Sequence, residues 1–388
     1  MFKFDFQLND EENGSESSSR ANTLETTAPE SLEIVEESHS CYHVSLDHLL
    51  STLPETLSYS PIHHATLAAP ILRRDLFDAR FQLISPSSSS MHDGTLEEID
   101  FVDAKSDLIP GLYEGGLKSW EGGLDLVEVL NSVEDLAEWV SGSQILEVGC
   151  GTALPMAYIL RSLLSVPPTS SARRKTILHM QDYNLSVLQL VTLPNLLLAA
   201  LPFLLPASLD PPNDAVDLES APSDLTRPGD LNVTPAFKKS FKKMLEEKSV
   251  DLTFSYGHWS GFARNLREEG GDYGLVMTAE TIYANGSVEP LIDVLRAAIC
   301  RKKKEHVGRG EIGLEERIGK LDMADGWAKT PLREVQEGMT MVAAKVLYFG
   351  VGGGIQDFLL RTARAGGWSR VIREWVKGVG RKVVQVGW

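Results

Sequence analysis

Gly149 and Gly151, one cysteine apart, follow the apolar and acidic run Ile145–Val148 and precede Met156–Leu164, whose apolar density suits a helix packed on a sheet. A strand, a glycine turn and a helix in that order make a seat for a nucleotide cofactor at the carboxyl end of a first strand. Glycine leaves the backbone open to a ligand and supplies positive φ where the turn calls for it. A Gly-x-Gly pair alone is also a common structural turn, so its surroundings must decide. A dinucleotide fingerprint needs a third glycine three positions on; that place holds Leu154, followed by Pro155, which argues against a nicotinamide cofactor. A second strand, Thr176–Met180, closes on Gln181-Asp-Tyr-Asn184. Asp182 stands where such sites hold the two ribose hydroxyls with a carboxylate. The same turn also suits a helix start, with Asn184 as its cap.

A third strand, Val250–Phe254, ends in Ser255-Tyr-Gly-His-Trp-Ser-Gly-Phe262, where Trp259 can lie on an adenine ring or simply pack at the domain rim. The fourth strand and its loop are Tyr273-Gly-Leu-Val-Met-Thr-Ala-Glu-Thr-Ile-Tyr283. In a doubly wound sheet the first and fourth strands flank the switch point, so Thr278–Tyr283 face the reacting end of the cofactor. Glu280 and Tyr283 are the candidate catalytic groups, orienting an acceptor there; structural caps are the plainer reading of both. Upstream, the segment 107–126 sets five glycines beside Trp120, which suits a loop folding over a ligand or a turn-rich approach to the domain.

The chain has 388 residues, 43% of them hydrophobic, enough for a large sheet with covering helices. Its net charge of −17 disfavours a phosphate-backbone binder and suits a basic protein partner. Cys41, Cys150 and Cys300 are too far apart for a disulfide framework or a zinc site and point to the reducing cytosol or nucleus. Cys150 reads as a small packed residue. His43, His48, His63, His64 and His92 show no repeating ligand spacing, so no metal is expected. Leu196–Leu205 is interrupted by Pro202 and stops at Pro206, so no apolar run reaches the length of a membrane span, and the start Met1-Phe-Lys-Phe-Asp-Phe is not a secretory signal.

Residues 1–99 are expected to be a largely disordered N-terminal region, polar from Asn9 to Ser40. Its opening Phe2-x-Phe4-x-Phe6 stripe could add a strand to a sheet edge or be the sticky end of a tail. Residues 100–388 form the expected catalytic domain, with a helix over Leu124–Val140 and insertions near 201–249 and 301–337. Within the first insertion, Phe237–Leu245 reads as a short basic amphipathic helix with a solvated face. Met339–Phe349 is a fifth strand, Gly350–Gly354 a pliable loop before the helix Ile355–Ala365, and Ser369–Val376 with Arg381–Val386 a terminal antiparallel pair. The fold class is α/β, a Rossmann-like sheet of seven mostly parallel strands with an antiparallel last strand.

The Glu-x-Gly-x-Gly turn resembles the first motif of the S-adenosylmethionine-dependent methyltransferases of the seven-strand class I type. Six segments together resemble the eukaryotic protein-histidine methyltransferases that modify a large-subunit ribosomal protein. They are Leu108–Glu121, Leu146–Gly151, Gln181–Asn184 with Val191-Thr-Leu-Pro-Asn195, Gly257–Ser260, Glu280–Tyr283 and Tyr348–Gly354. The Phe-x-Phe-x-Phe start is also similar to that family's N-terminus. The resemblance implies S-adenosyl-L-methionine as cofactor, a histidine imidazole as acceptor, and a basic ribosomal protein as partner of a monomeric enzyme. It places cofactor contacts at Lys118, Trp120, Glu121, Gly149, Gln181, Asp182, Tyr183, Gly257, His258, Trp259 and Thr278, beside Gly151 of the turn. Two positions depart from the family pattern: Gly122, where relatives often have cysteine, and His258, where they often have an acid. The second bears on the adenine side.

A protein-lysine methyltransferase of the same fold, or a non-catalytic ribosome-assembly factor, would share much of this pattern. The intact glycine turn and Asp182 speak against a lapsed site. The acidic balance and the lack of an Asn/Asp-Pro-Pro-Tyr clamp after the fourth strand speak against a nucleic-acid substrate.

Overall fold

The computed structural model describes residues 39–75, 77, 116–167, 175–204, 224–299, 339–348, 353–376 and 378–388. In chain order the elements are β1 (Cys41–Val44), α1 (Leu46–Ser51), β2 (Thr56–Ile62), β3 (Ile71–Arg74), α2 (Glu121–Asn131), α3 (Leu136–Val140), β4 (Gln144–Val148), α4 (Leu154–Ser165) and β5 (Thr176–Asp182). Then come the continuous helix α5 (Leu185–Leu204), β6 (Gly229–Asn232), α6 (Pro235–Glu247), β7 (Val250–Gly257), α7 (Trp259–Glu269), β8 (Leu275–Ala279) and α8 (Val288–Ile299). The chain closes with β9 (Met339–Lys345), α9 (Ile355–Arg364), β10 (Trp368–Trp375) and β11 (Arg381–Gly387).

The main sheet runs β1-β7-β5-β4-β8-β9-β11-β10, with β7, β5, β4, β8 and β9 mutually parallel and β1 and β11 antiparallel to their neighbours in that block. Without β1 the sheet has the seven mostly parallel strands expected, and the terminal β10–β11 pair is antiparallel as its sequence suggests. Alternation along β4 divides the core. Ile145 packs on the side of α4 and α5, while Leu146 and Val148 pack on the side of α7, α8 and α9. Winding proceeds from β4 to β5 and β7 on one side and to β8 and β9 on the other. A crevice therefore opens at the carboxyl end of β4, where Val148 is level with both Gln181 and Thr278.

Among the described residues the main sheet has eight strands rather than seven. The extra strand, β1, pairs Cys41 with Gly257, and two glycines admit it: a Cβ on Gly257 would lie 2.4 Å from the Ser40 carbonyl oxygen, and one on Gly261 2.3 Å from that of His39. The domain also takes in residues the sequence leaves in a disordered N-terminal region. Besides β1, the strands β2 and β3 join β6 in a second, antiparallel sheet, order β3-β2-β6, whose Leu57, Tyr59, Leu72 and Leu231 enter the core. Part of the expected 201–249 insertion is thus a strand and a packed helix: Phe237, Phe241, Met244 and Leu245 bury one face of α6, and Thr234 caps its start at Phe237 N. The insertion at 301–337, the Phe stripe at 2–6 and the loop residues 107–115 lie outside the described residues.

The helix expected over Leu124–Val140 is two helices. The break falls at Ser132–Asp135, where the Ser132 hydroxyl donates to the Val129 carbonyl and Asp135 takes φ +54°. The apolar run beyond Asp182 is longer than its prolines suggest. The 20-residue α5 is long and apolar enough to cross a membrane, but 89% of its apolar window is buried inside the protein, so it is a core helix. Pro194 has no N–H for the carbonyl one turn back, that of Leu190; the buried Arg74 guanidinium donates there at 2.8 Å, next to a π-helical turn at Leu188–Thr192. Arg74 N also donates to Asn195 Oδ1 at 2.8 Å, fastening β3 to the helix.

Candidate functional site

The crevice is lined by the turn after β4, the ends of β5 and β8, the start of α7, the segment 116–123, Lys345 at the end of β9 and Tyr348 just beyond it. The turn explains its own sequence. Gly149 and Gly151 take φ +60° and +50°, and Ala153 at the start of α4 takes +49°. A Cβ on Gly149 would sit 2.6 Å from Thr281 Cγ2, and one on Gly151 would sit 3.0 Å from the Gly116 carbonyl oxygen. The backbone conformation favours glycine at both positions, and the space favours it most sharply at Gly149. The turn is clamped from α5: Thr192 Oγ1 donates to the Gly151 carbonyl at 2.6 Å, and Asn195 Nδ2 to that of Thr152 at 2.7 Å. That gives Val191–Asn195 a physical reason to belong with the glycine motif.

Asp182 lies across the turn, its Oδ2 accepting from Gly151 N at 2.9 Å and its Oδ1 from Asn184 N at 3.2 Å. The two bonds fix the carboxylate at the wall of the cleft. Asn184 stands at the helix start but makes no side-chain cap; its own backbone N–H donates to Asp182. Glu147 is the second acid of the cleft. Its Oε2 accepts from Met156 N at 3.1 Å, doing for α4 the capping that Ala153 cannot. Burial pushes the Glu147 carboxyl up to about 8, the Met156 N–H pulling against that and the charge of Asp182 adding to it. Cys150 is buried beside Thr192, and burial raises its thiol far above the ordinary range, so it packs and does not act as a nucleophile.

An aromatic wall faces these acids. Tyr183 and Trp259 meet edge to face, centroids 4.9 Å apart, and Trp259 Nε1 donates to Gln181 Oε1 at 3.0 Å. Gln181 Nε2 in turn donates to the carbonyls of Asp182 and Gly257, so this fully buried amide ties three segments together.

On the opposite side, a strained residue follows β8: Glu280 takes φ +57° with its carboxyl buried. Its Oε1 accepts from Gly122 N at 3.2 Å and its Oε2 from the Tyr348 hydroxyl at 2.5 Å. Burial raises the Glu280 carboxyl; the Tyr348 hydrogen bond, the Lys345 charge and the Gly122 N–H hold it down. Burial and the charge of Glu280 raise the Tyr348 hydroxyl, so it is the donor. Lys345 lies 5.2 Å from the Trp120 ring centroid and 3.5 Å from Glu121 Oε2.

Of the cofactor residues expected from sequence, Lys118, Trp120, Gly149, Gly151, Asp182, Tyr183 and Trp259 line the cleft, as do Glu280 and Tyr283. Five others stand behind it. Gln181 braces Trp259; Gly257 makes room for residues 40 and 41; the His258 ring caps α7 by accepting from Ser260 N at 3.0 Å. Thr278 Oγ1 donates to the Val148 carbonyl at 2.8 Å and meets Thr281 Oγ1 at 2.6 Å, and Glu121 pairs with Lys345. Sequence reasoning did not single out Lys345, Thr281, Glu147 or Tyr348 as site residues. Tyr348 carried a signal, since it opens the Tyr-Phe-Gly-Val-Gly-Gly-Gly segment, whose Gly353 packs where a Cβ would strike the Tyr283 carbonyl oxygen at 2.3 Å.

No family model matches the chain. Curated relatives do. Histidine protein methyltransferase 1 of Schizosaccharomyces pombe is 28% identical over 348 residues, 88% of this chain and 83% of the relative. The Saccharomyces cerevisiae protein of the same name is 29% identical over 77% of this chain and 69% of its own length. The Rattus norvegicus homologue is 26% identical over 65% of this chain and 51% of its own. Among solved structures, an rRNA methyltransferase of Streptomyces viridochromogenes aligns with 72% of this chain and 91% of its own at 12% identity, but with a TM-score of only 0.30, too slight to bear on the fold. The mostly parallel sheet and its crevice carry the fold class, that of a class I methyltransferase, and over most of its length the chain is similar in sequence to the curated histidine protein methyltransferases of two yeasts.

Proposed function

We propose that this chain transfers a methyl group from S-adenosyl-L-methionine to a histidine imidazole of a basic protein of the large ribosomal subunit. The observation that carries the reading is the glycine turn at 149–151, bare where a Cβ would collide, with the Asp182 carboxylate fixed across it. The residues fit the cofactor. Asp182 is placed for ribose hydroxyls, and Tyr183 and Trp259 for the flat base. When bound, the cofactor supplies an electrophilic methyl group.

The chain's own residues then have to place a neutral imidazole in line and keep water out, which is where most of the rate effect of such a displacement arises. Near pH 7 an ordinary histidine is mostly neutral, so the chemistry asks for orientation more than activation. Glu280 is the group to accept the N–H of the ring nitrogen that does not react, and Tyr283 borders the same space. The chain would act as a monomer in the cytosol or nucleus, on a protein and without nucleic acid, consistent with its charge of −17.

The test is to incubate the enzyme with methyl-labelled cofactor and large-subunit proteins that lack prior modification, then to identify the labelled residue by mass spectrometry. Methylhistidine is expected. Label on lysine would replace the acceptor assignment, and cofactor binding without any transfer would favour an assembly factor.

A further inference from the structure

Glu280 is held more tightly than a residue that merely borders a cleft needs to be. Its backbone is in the left-handed region, and its two carboxylate oxygens take one donor each from different elements. The donor at the start of α2 is available because residue 122 is glycine: a Cβ there would come within 2.9 Å of Glu280 Oε1. Tyr348 closes the other side at 2.5 Å, and its oxygen in turn accepts from Lys345 N at 3.4 Å. Glycine at 122, one of the chain's departures from the family pattern, is therefore part of how the acid is seated.

We infer that Tyr348 is a positioning residue for methyl transfer: its hydroxyl and the Gly122 N–H hold the Glu280 carboxylate aimed into the cleft, where it takes the N–H of the acceptor imidazole. This rests on the function proposed above. The step balances without a further reactant. One ring nitrogen gives its lone pair to the methyl carbon, the carbon–sulfur pair stays on sulfur, and the other ring nitrogen passes its proton to Glu280. Only an ionised Glu280 can accept that proton, so the donors around it matter. Besides Tyr348 and Gly122, the charged groups facing it are Lys345, Glu121 and Arg381; the two cations favour the carboxylate and Glu121 opposes it. Loss of the Tyr348 donor leaves burial less opposed.

Two substitutions test this from opposite sides. Tyr348→Phe removes one donor, and Gly122→Ala pushes the carboxylate off the other. The pH dependence of kcat/KM is measured for both, and the titration of the Glu280 carboxyl is followed in ligand-free protein by carbon NMR, assigned by difference from Glu280→Gln. A lost hydrogen bond to a charged group corresponds to about one pH unit. Both variants should shift the acid limb and the Glu280 titration upward by about that much, with cofactor affinity unchanged and the rate recovering at high pH. Glu280→Gln should lose the limb altogether. Rates that fall equally at every pH, with the titration unmoved, would overturn the assignment. A wild-type chain that transfers nothing to histidine would sink the proposed function instead, and the titration would still show whether Tyr348 governs Glu280.

Discussion

Glu147 offers a quantitative test of how the site is built into the fold. Its carboxyl is buried at the foot of the glycine turn, caps α4 through Met156 N, and is pushed up to about 8 from an unfolded value of 4.5. A raised acid binds a proton on folding, so its contribution is fully present below pH 4.5 and is lost as pH rises through 8. Across that window stability should fall by up to about 1.4 kcal/mol per pH unit, or about 3.5 kcal/mol between pH 5 and pH 8 because the slope flattens near each pKa. Glu147→Gln keeps the shape and an acceptor for Met156 N but cannot ionise. Urea unfolding of both proteins at intervals from pH 5 to pH 8, followed by tryptophan fluorescence, gives the difference directly. The variant should gain on the wild type throughout, by about 3.5 kcal/mol in all over those three units. A constant difference over the whole range would show that Glu147 is ionised in the fold, and the account of a dry, acid-lined turn would be wrong.

Gly149→Ala should cost about 1–2 kcal/mol for its left-handed backbone and about 1–3 kcal/mol more for the contact with Thr281, read by urea unfolding. Adding Thr281→Ala should return only the second part; full recovery would mean that φ at 149 carries no strain. His179, buried between Tyr273 and Ser255, is held neutral with its pKa lowered to about 3 by burial, the charge of His43 contributing. A depressed base is protonated only on unfolding below its ordinary value of 6.5, so the fold should lose about 2 kcal/mol between pH 7 and pH 5 through this residue alone. His179→Asn should flatten that acid-side slope; an unchanged slope would place the loss elsewhere.

The centre of the sheet was legible in the sequence because strong local patterns mark it. Ile145–Val148, Thr176–Met180 and the glycine turn each combine an apolar run with a residue type that admits few alternatives, and the structure puts them side by side. The edges were not legible, for physical reasons. Strands β1 and β6 have four residues each, too few for a period to show, and they owe their conformation to partners far along the chain: Gly257 for β1, Leu57 and Tyr59 for β6. The length of α5 was hidden by its prolines, because the support comes from Arg74, more than a hundred residues away. In the site, Asp182 and Trp259 could be named from their places at strand ends. What spacing could not distinguish was a residue that lines the cleft from one that braces it: Gln181 and Thr278 adjoin lining residues but spend their hydrogen bonds on Trp259, Thr281 and backbone. Lys345 gave no local signal; only the pairing of β9 with β8 brings it to the cleft.

The proposed function stands on the bare turn at 149–151 and the Asp182 carboxylate as the seat of a sulfonium nucleoside. Its most direct test is a crystal grown with S-adenosyl-L-methionine. Density is expected in this crevice, with the ribose against Asp182 and the methyl group directed toward Glu280 and Tyr283. Density at another place, or an empty crevice at saturating ligand, would contradict it.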